Sequence, residues 1–236
     1  MLNTAKTVRE IAVEMPQATR VFEKFGIDYC CGGLKTLEQA CAAANLRVDT
    51  ILQSLESTAV TKPEQDWKAG ELSLLIEHIT NTHHAYVKSE VPRIEALAAK
   101  VVSVHRKNHP ELLEVQKVFR GLGAELSTHL MKEENILFPY IARAEASVRA
   151  GRPAARPPFG SVGNPIHMMM MEHDSAGEAL RELRCLTADY APPSDACISY
   201  QTLYRALADF EADLHQHIHL ENNILFPRAV EMENGN

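Results

Sequence analysis

Two nearly identical strings of eleven residues each place a histidine four residues before a glutamate. The first, HLMKEENILFP, begins at His129, and the second, HIHLENNILFP, begins at His217. Residues four apart share one face of an α-helix, so His129 pairs with Glu133 and His217 pairs with Glu221. Imidazole and carboxylate groups in this pattern can bind a metal ion. A repeat this close also indicates that one helical hairpin was duplicated.

A duplicated hairpin predicts a matching histidine on the first helix of each copy. His84 lies 45 residues before His129, and His173 lies 44 residues before His217. Helical periodicity does not separate His84 from its neighbour His83, and the repeat spacing favours His84 only weakly. Apolar residues on the same helix faces predict that these side chains point into the protein.

Four histidines and two glutamates in one interior favour a pair of metal ions. Buried carboxylates are costly unless they are paired, hydrogen-bonded or bound to metal, and four imidazoles alone would neutralise two of them poorly. Six ligands are too many for one tetrahedral zinc, but they suit two metals that share the carboxylates. Mixed imidazole and carboxylate ligation favours iron, with manganese and zinc as competitors. The alternative is a pair of buried, hydrogen-bonded His/Glu clusters without metal.

The elements that must position these ligands are four long stretches with helical periodicity. They cover about 71–103, 110–147, 165–189 and 195–228. Short loops join the helices of each pair, and a longer segment rich in Pro, Gly and Arg joins the two pairs. No strand-like alternation is sustained, so the sequence predicts an all-α protein with an up-down four-helix bundle over residues 71–230.

A smaller helical domain is predicted over residues 1–57, joined to the bundle by a polar linker at 58–70. Two short helices broken at Pro16 precede the sequence DYCCGG, and two more follow it. Thr36 and Asp49 are the expected N-caps of the later two. Because this domain is small for an independent core, we expect it to dock on the rest of the chain.

The DYCCGG sequence contains the adjacent cysteines Cys30 and Cys31. A disulfide between neighbours is strained, and a metal site of their own would need further ligands. Two readings remain: small residues packed at a glycine turn, or a solvent-accessible thiol pair that handles iron, nitric oxide or electrons in transit to the bundle. We favour the thiol pair.

Several polar residues near the predicted ligands need separate interpretations. Glu125 and Glu172 could each accept an imidazole N–H or line an access path, and the alternative is an ordinary surface glutamate. Glu134 is expected to be solvated. His215 and His219 flank His217 on the outward face, which predicts a solvated pair.

Composition narrows the classes of partner. The chain has 236 residues, a formal net charge of -7 and five cysteines without a framework spacing. This charge argues against nucleic acid or an anionic membrane as partner, and no apolar run approaches the ~20 residues that span a bilayer. The first residues lack a signal-peptide pattern. We therefore expect a cytoplasmic protein with reduced thiols.

The two repeated strings resemble those of hemerythrin-type di-iron bundles. Together with DYCCGG, they make nearly the whole chain similar to the iron–sulfur cluster repair di-iron proteins, the YtfE/ScdA family. The resemblance implies two non-haem iron ions, oxo- or hydroxo-bridged and carboxylate-bridged. The implied ligands are His84, His129, Glu133, His173, His217 and Glu221.

The resemblance also implies a function. It is the repair of iron–sulfur clusters damaged by nitrosative or oxidative stress, through nitric oxide binding or reduction, iron donation, or both. The partners would be damaged iron–sulfur proteins and a diatomic gas such as nitric oxide. The sequence does not decide whether the protein has catalytic turnover or forms a homodimer. Oxygen-carrying hemerythrins have two histidines four residues apart in the third helix. Here the residues four positions before and after His173 are Met169 and Gly177, so this second histidine is absent. The alternatives are a nitric oxide or oxygen buffer or sensor without turnover, and ferritin-like iron oxidation.

Overall fold

The computed structural model describes residues 4–30, 32–58, 67–154 and 157–235. Helices make up the regular structure of these residues, and their one extended pairing is an isolated bridge between Thr7 and Thr36. The all-α prediction is therefore confirmed. Within the described ranges, no helix combines the length and the apolar content needed to cross a membrane.

Four short helices form the N-terminal unit: α1 (Val8–Glu14), α2 (Ala18–Lys24), α3 (Leu37–Ala43) and α4 (Val48–Thr58). The chain breaks between α1 and α2 around Pro16, as expected. Thr36 caps α3 through a reciprocal capping box with Gln39, and Thr7 does the same for α1. The prediction for Asp49 is wrong, because this residue lies inside the first turn of α4.

The bundle contains four long helices, three of which include a π-helical turn. The first comprises α5 (Leu72–Ile79), the turn Thr80–His84 and α6 (Ala85–His105). The second comprises α7 (Leu112–Lys132), the turn Glu133–Leu137 and α8 (Phe138–Arg149). The third is α9 (Gly163–Leu186). The fourth comprises α10 (Ile198–Leu220), the turn Glu221–Leu225 and α11 (Phe226–Asn234). Helix α6 packs against α7 and α10, and α7 packs against α9, as in an up-down bundle.

The π-helical turns widen the helices beside the predicted ligands. In the second helix the Phe138 N–H bonds to the Glu133 carbonyl five residues back, and in the fourth helix Phe226 bonds to Glu221 in the same way. A proline follows each phenylalanine; it lacks an N–H and crowds the carbonyl four residues back, which disfavours the regular α-helical hydrogen bond at this point. The repeated ILFP thus accompanies two of the three turns.

Two apolar clusters fill the bundle, and the predicted ligands lie in a polar layer between them. Leu126, Leu130 and Leu214 belong to one cluster, and Leu137 and Phe226 belong to the other. All are 3 % exposed or less. This packing removes water from both sides of the layer.

The N-terminal unit docks on the fourth helix. Glu23 bonds to His215 Nδ1 at 3.0 Å, and the Tyr29 carbonyl accepts from Asn223 Nδ2 at 3.2 Å. The Tyr29 ring also contacts His219 edge-on, with 5.3 Å between ring centroids. The prediction of a solvated His215/His219 pair is wrong, because the docked unit covers both residues and leaves His219 only 3 % exposed.

The second glycine of DYCCGG allows the turn to lie close to α1. A Cβ at Gly33 would lie 2.6 Å from the Tyr29 carbonyl oxygen and 3.0 Å from Arg9 Cβ. The Gly33 carbonyl also accepts the Arg9 N–H at 3.0 Å. Because both backbones are held at this distance, any side chain at this position must displace one of them.

We predict that Gly33→Ala destabilises the protein by about 1–3 kcal/mol, as overpacking does elsewhere. The matched control is Gly121→Ala, where a Cβ meets no atom within 4 Å in the middle of α7. That control should stabilise the protein slightly because alanine favours helix. Urea unfolding followed by circular dichroism measures both changes, and equal effects of the two variants would refute the assigned close approach.

Candidate metal centre

Four imidazoles and two carboxylates meet in the polar layer of the bundle. They form two sets of four, and the ligand atoms within each set all lie within 4.8 Å of one another. Both sets contain Glu133 and Glu221, which are fully buried. One set adds His84 and His217, and the other adds His129 and His173. The structure thus brings together all six predicted metal ligands.

The shared carboxylates lie between two facing pairs of imidazoles. His84 Nε2 lies 3.1 Å from His217 Nε2, and His129 Nε2 lies 3.0 Å from His173 Nε2. Glu133 Oε2 lies 3.4 Å from the first pair, at His84, and 3.3 Å from the second, at His129.

Glu221 contacts both pairs through different oxygens. Its Oε1 lies 3.0 Å from His217 Nε2, and its Oε2 lies 3.2 Å from His173 Nε2. Each carboxylate can therefore contribute a ligand atom to both sets.

Outer acceptors orient three of the four imidazoles. Each accepts a hydrogen bond from an Nδ1–H at 2.8 Å: Glu134 from His84, Glu172 from His129, and the Asn222 side-chain carbonyl from His173. A proton held on Nδ1 leaves the Nε2 lone pair directed into the cluster, which is the tautomer that a metal ion requires.

Protein contacts leave several atoms of the cluster unsatisfied. Both carboxylate oxygens of Glu133, Oε2 of Glu221 and Nδ1 of His217 are buried without a hydrogen bond from the described residues. The nearest imidazole nitrogens lie 3.2–3.4 Å from these carboxylate oxygens. Buried polar groups in this state are costly. A bound metal would satisfy them, so the residues fit a metal site better than a metal-free cluster.

The carboxylates also change the protonation of the imidazoles. Burial lowers the pKa of His84, but the nearby carboxylates of Glu133 and Glu221, 3.4 and 3.7 Å from its Nε2, outweigh this effect and raise the pKa to about 10. Burial likewise opposes a rise at His129, where Glu133, Glu221 and Glu172 raise the pKa to about 9. Burial and Glu221 act to raise the pKa of Glu133, but its imidazole neighbours lower it overall. Without metal, the cluster therefore holds imidazolium beside carboxylate.

The structure separates His84 from His83. His84 Nε2 lies inside the cluster, whereas His83 Nδ1 bonds to Asp213 Oδ1 at 2.9 Å outside it. His83 still lies close to a ligand, since its ring is parallel to the His217 ring with 5.8 Å between centroids.

Glu125 and Glu172 have different surroundings. Glu172 accepts from His129 and pairs with Lys132, whereas Glu125 is exposed and accepts from Ser175 Oγ at 3.2 Å. Both line a narrow cleft that reaches His129 and His173. Glu172 therefore has the geometry of an outer imidazole partner, and Glu125 lies only along the cleft.

Two residues that accept hydrogen bonds from ligand imidazoles were not predicted from the sequence. Each directly follows the glutamate of a repeated string. Glu134 was expected to be solvated, but it bonds to His84 and to Lys88. Asn222 holds the same place in the second string and bonds to His173. Their position directly after the glutamate of each repeated string was the sequence signal that could have identified them.

Cys30 is not a solvent-accessible thiol. It is 6 % exposed, packs with the apolar cluster of the bundle and has its Sγ 3.4 Å from Asp28 Oδ1. Docking of the N-terminal unit covers it, so the prediction of exposure is wrong for this residue. Cys31 lies outside the described residues.

Comparison with known proteins agrees with both parts of the chain. The hemerythrin HHE cation binding domain family matches residues 75–229, and a domain of unknown function (DUF542) matches residues 4–59. A probable iron–sulfur cluster repair protein of Haemophilus influenzae is 37 % identical over 224 residues, covering 94 % of this chain and 95 % of the relative. The iron–sulfur cluster repair protein YtfE of Escherichia coli is 38 % identical over 221 residues, covering 94 % of each chain. The chain therefore belongs to the hemerythrin HHE family and, within it, to the iron–sulfur cluster repair proteins.

Proposed function

We propose that this protein holds two iron ions and repairs iron–sulfur clusters damaged by nitrosative or oxidative stress. The observation that carries the proposal is the pair of four-residue ligand sets that share Glu133 and Glu221. The names of the relatives support repair as the purpose of this site. When bound, the two irons supply open coordination positions for a diatomic gas such as nitric oxide, and iron that can be donated.

The residues of the chain prepare this site in three ways. The four Nε2 atoms and the two shared carboxylates bind the cations. Glu134, Glu172 and Asn222 keep the Nδ1 protons on His84, His129 and His173 and so fix the orientation of these rings. The apolar clusters on both sides exclude bulk water, which strengthens the electrostatic interactions inside.

We assign the remaining site residues to the transfer of iron or reducing equivalents into and out of the site. Glu125 and Glu172 line the cleft that reaches one ligand set, where carboxylates would attract an entering or leaving cation. The Cys30/Cys31 pair would handle iron or reducing equivalents where the N-terminal unit meets the bundle. Among the described residues, Cys30, Cys41, Cys185 and Cys197 form no disulfide, and we propose a reducing, cytoplasmic setting.

The second candidate function is a nitric oxide or oxygen buffer or sensor without turnover. The burial of Cys30 favours it, because a covered thiol cannot reach a client protein in this arrangement. The two candidates share the metal site and differ in whether a chemical product is released.

Metal content tests the shared carboxylates. Anaerobically purified protein should contain about two irons per chain, measured by metal analysis and Mössbauer spectroscopy. Glu133→Ala and Glu221→Ala should each lose both irons, because each carboxylate serves both ligand sets. Glu125→Ala is the matched control and should keep them, since Glu125 contacts Ser175 rather than a ligand. One zinc per chain would contradict the proposal.

Metal binding should release protons. The pKa values of His84 and His129 are raised above 7 in the metal-free protein, so both rings are protonated at neutral pH. Binding of ferrous iron at pH 7 should displace about one proton from each, and release should vanish as the pH passes about 10. Anaerobic titration with a pH indicator measures it, with Glu221→Ala as the non-binding control. Stoichiometric iron binding at pH 7 without proton release would contradict the assigned protonation.

Nitric oxide titration of the reduced protein separates the two candidate functions. Repair predicts nitrous oxide release or restored activity of a nitrosylated dehydratase. A buffer predicts only reversible, stoichiometric binding. The double variant Cys30→Ala/Cys31→Ala should keep its iron but lower repair, whereas Cys185→Ala, at an exposed cysteine, should behave as wild type. Equal repair by both variants would exclude the cysteine pair from the chemistry.

A further inference from the structure

A cysteine and a histidine are in hydrogen-bond contact at the end of the bundle that lies far from the metal centre. His105 Nε2 lies 3.1 Å from Cys197 Sγ, although the two residues are 92 positions apart in the sequence. Cys197 lies at the start of the fourth helix, roughly 30 Å along the helix axis from the ligand His217, at a rise of 1.5 Å per residue. This pair is therefore separate from the six ligands and from the residues that orient them.

The pair has the arrangement of an activated nucleophile and its base. The two atoms share one proton: either the thiol donates to a neutral imidazole, or an imidazolium Nε2–H donates to a thiolate. When the proton is on His105, Cys197 is a thiolate, which is the form of cysteine that attacks electrophiles. The imidazolium can then return the proton to a leaving group.

The ends of two long helices favour the charged form of this pair. Cys197 is the N-cap of α10, which has 23 residues, and its side chain makes no capping hydrogen bond. His105 is the last residue of α6, which has 21 residues. The N-terminal end of a helix dipole favours an anion and the C-terminal end favours a cation. Because α6 and α10 pack together in opposite directions, the thiolate and the imidazolium each lie at the helix end that suits their charge.

A second histidine binds the carboxylates that would otherwise compete for His105. His109 contacts Asp195 through Nε2 and Glu111 through Nδ1, both at 3.1 Å. The hydrogen bond to Asp195 raises the pKa of His109 against a smaller opposing effect of burial, and Glu111 adds to the rise. An imidazolium at His109 donates to both carboxylates, and His105 Nε2 is left to the thiol.

The site is supported from the interior and open on the outside. The fully buried ring of Tyr200 contacts both imidazoles, with 5.3 Å between its centroid and that of His105 and 5.4 Å to that of His109. Cys197 itself is exposed, and the next residue, Ile198, is 83 % exposed. An electrophile larger than a water molecule can therefore reach the sulfur, while the base stays in place.

We propose that Cys197 is a redox modification site that reacts with a small disulfide to form a mixed disulfide. The thiolate attacks one sulfur of the reagent, so that a new S–S bond to Cys197 forms as the S–S bond of the reagent breaks. The leaving thiolate takes the proton from His105 Nε2 and departs as a thiol. Cys197 is oxidised and half of the reagent is reduced, so the disulfide is the only oxidant required. The site is independent of iron and goes beyond the function proposed above.

Cys185 is the internal reference for a test, because it is also exposed and its thiol bonds to no histidine in the described part of the chain. Full-length, iron-loaded protein is incubated anaerobically with glutathione disulfide at pH 6, where an ordinary thiol is almost entirely protonated. Peptide mass spectrometry follows the mixed disulfide at each cysteine. Cys197 should react about tenfold faster than Cys185. A rate at Cys197 no higher than that at Cys185 would overturn the proposal.

The variant His105→Gln tests the base, because glutamine keeps a polar side chain that cannot take the proton. It should lower the rate at Cys197 to that at Cys185 and leave the Cys185 rate and the iron content unchanged, which reports an intact fold. The matched control is His167→Gln, at an exposed histidine of α9, and it should leave both rates unchanged. An unchanged Cys197 rate in His105→Gln, or an equal fall in both variants, would refute the role assigned to His105.

Discussion

Glu133 and Glu221 are fully buried next to each other, and the structure of the bundle depends on how these two carboxylates are neutralised. Removing them from water is costly, and like charges at short range add to that cost. Four imidazoles surround them, yet three of the four carboxylate oxygens lack a hydrogen bond from the described residues. Bound cations would supply the partners that these carboxylate oxygens lack among the protein atoms. The same apolar packing that makes the layer dry therefore makes the centre a strong metal site.

The two ligand sets, each built from residues of both helix pairs, have different surroundings. His129 has a carboxylate partner in Glu172, but the corresponding position of the first helix is His83, and His217 Nδ1 is left buried without a described partner. One set opens to a cleft lined by glutamates, and the other lies beside His83, whose ring is parallel to that of His217. The two ligand sets consequently differ in charge environment and access, although each contains two histidines and the same two glutamates.

The N-terminal unit shapes the function of the bundle by covering its fourth helix. Glu23 and Tyr29 approach the fourth helix where His215 and His219 would otherwise face water. Docking also brings Cys30 into contact with the apolar interior of the bundle. Cys30 thus packs at the boundary between the two units, and Gly33 is required near α1 because the Tyr29 carbonyl leaves no room for a side chain.

The sequence alone determined the helical bundle and five of the six candidate ligands, because a repeated string and helical periodicity are local patterns. It did not decide between His83 and His84, since both lie at the edge of one face and only tertiary packing turns His84 inward. Periodicity within one helix also cannot report what covers it from outside. For this reason Glu134, His215 and His219 were predicted as solvated, and Cys30 was predicted as exposed. Their real surroundings come from residues far away in the chain, so only the tertiary structure decided them.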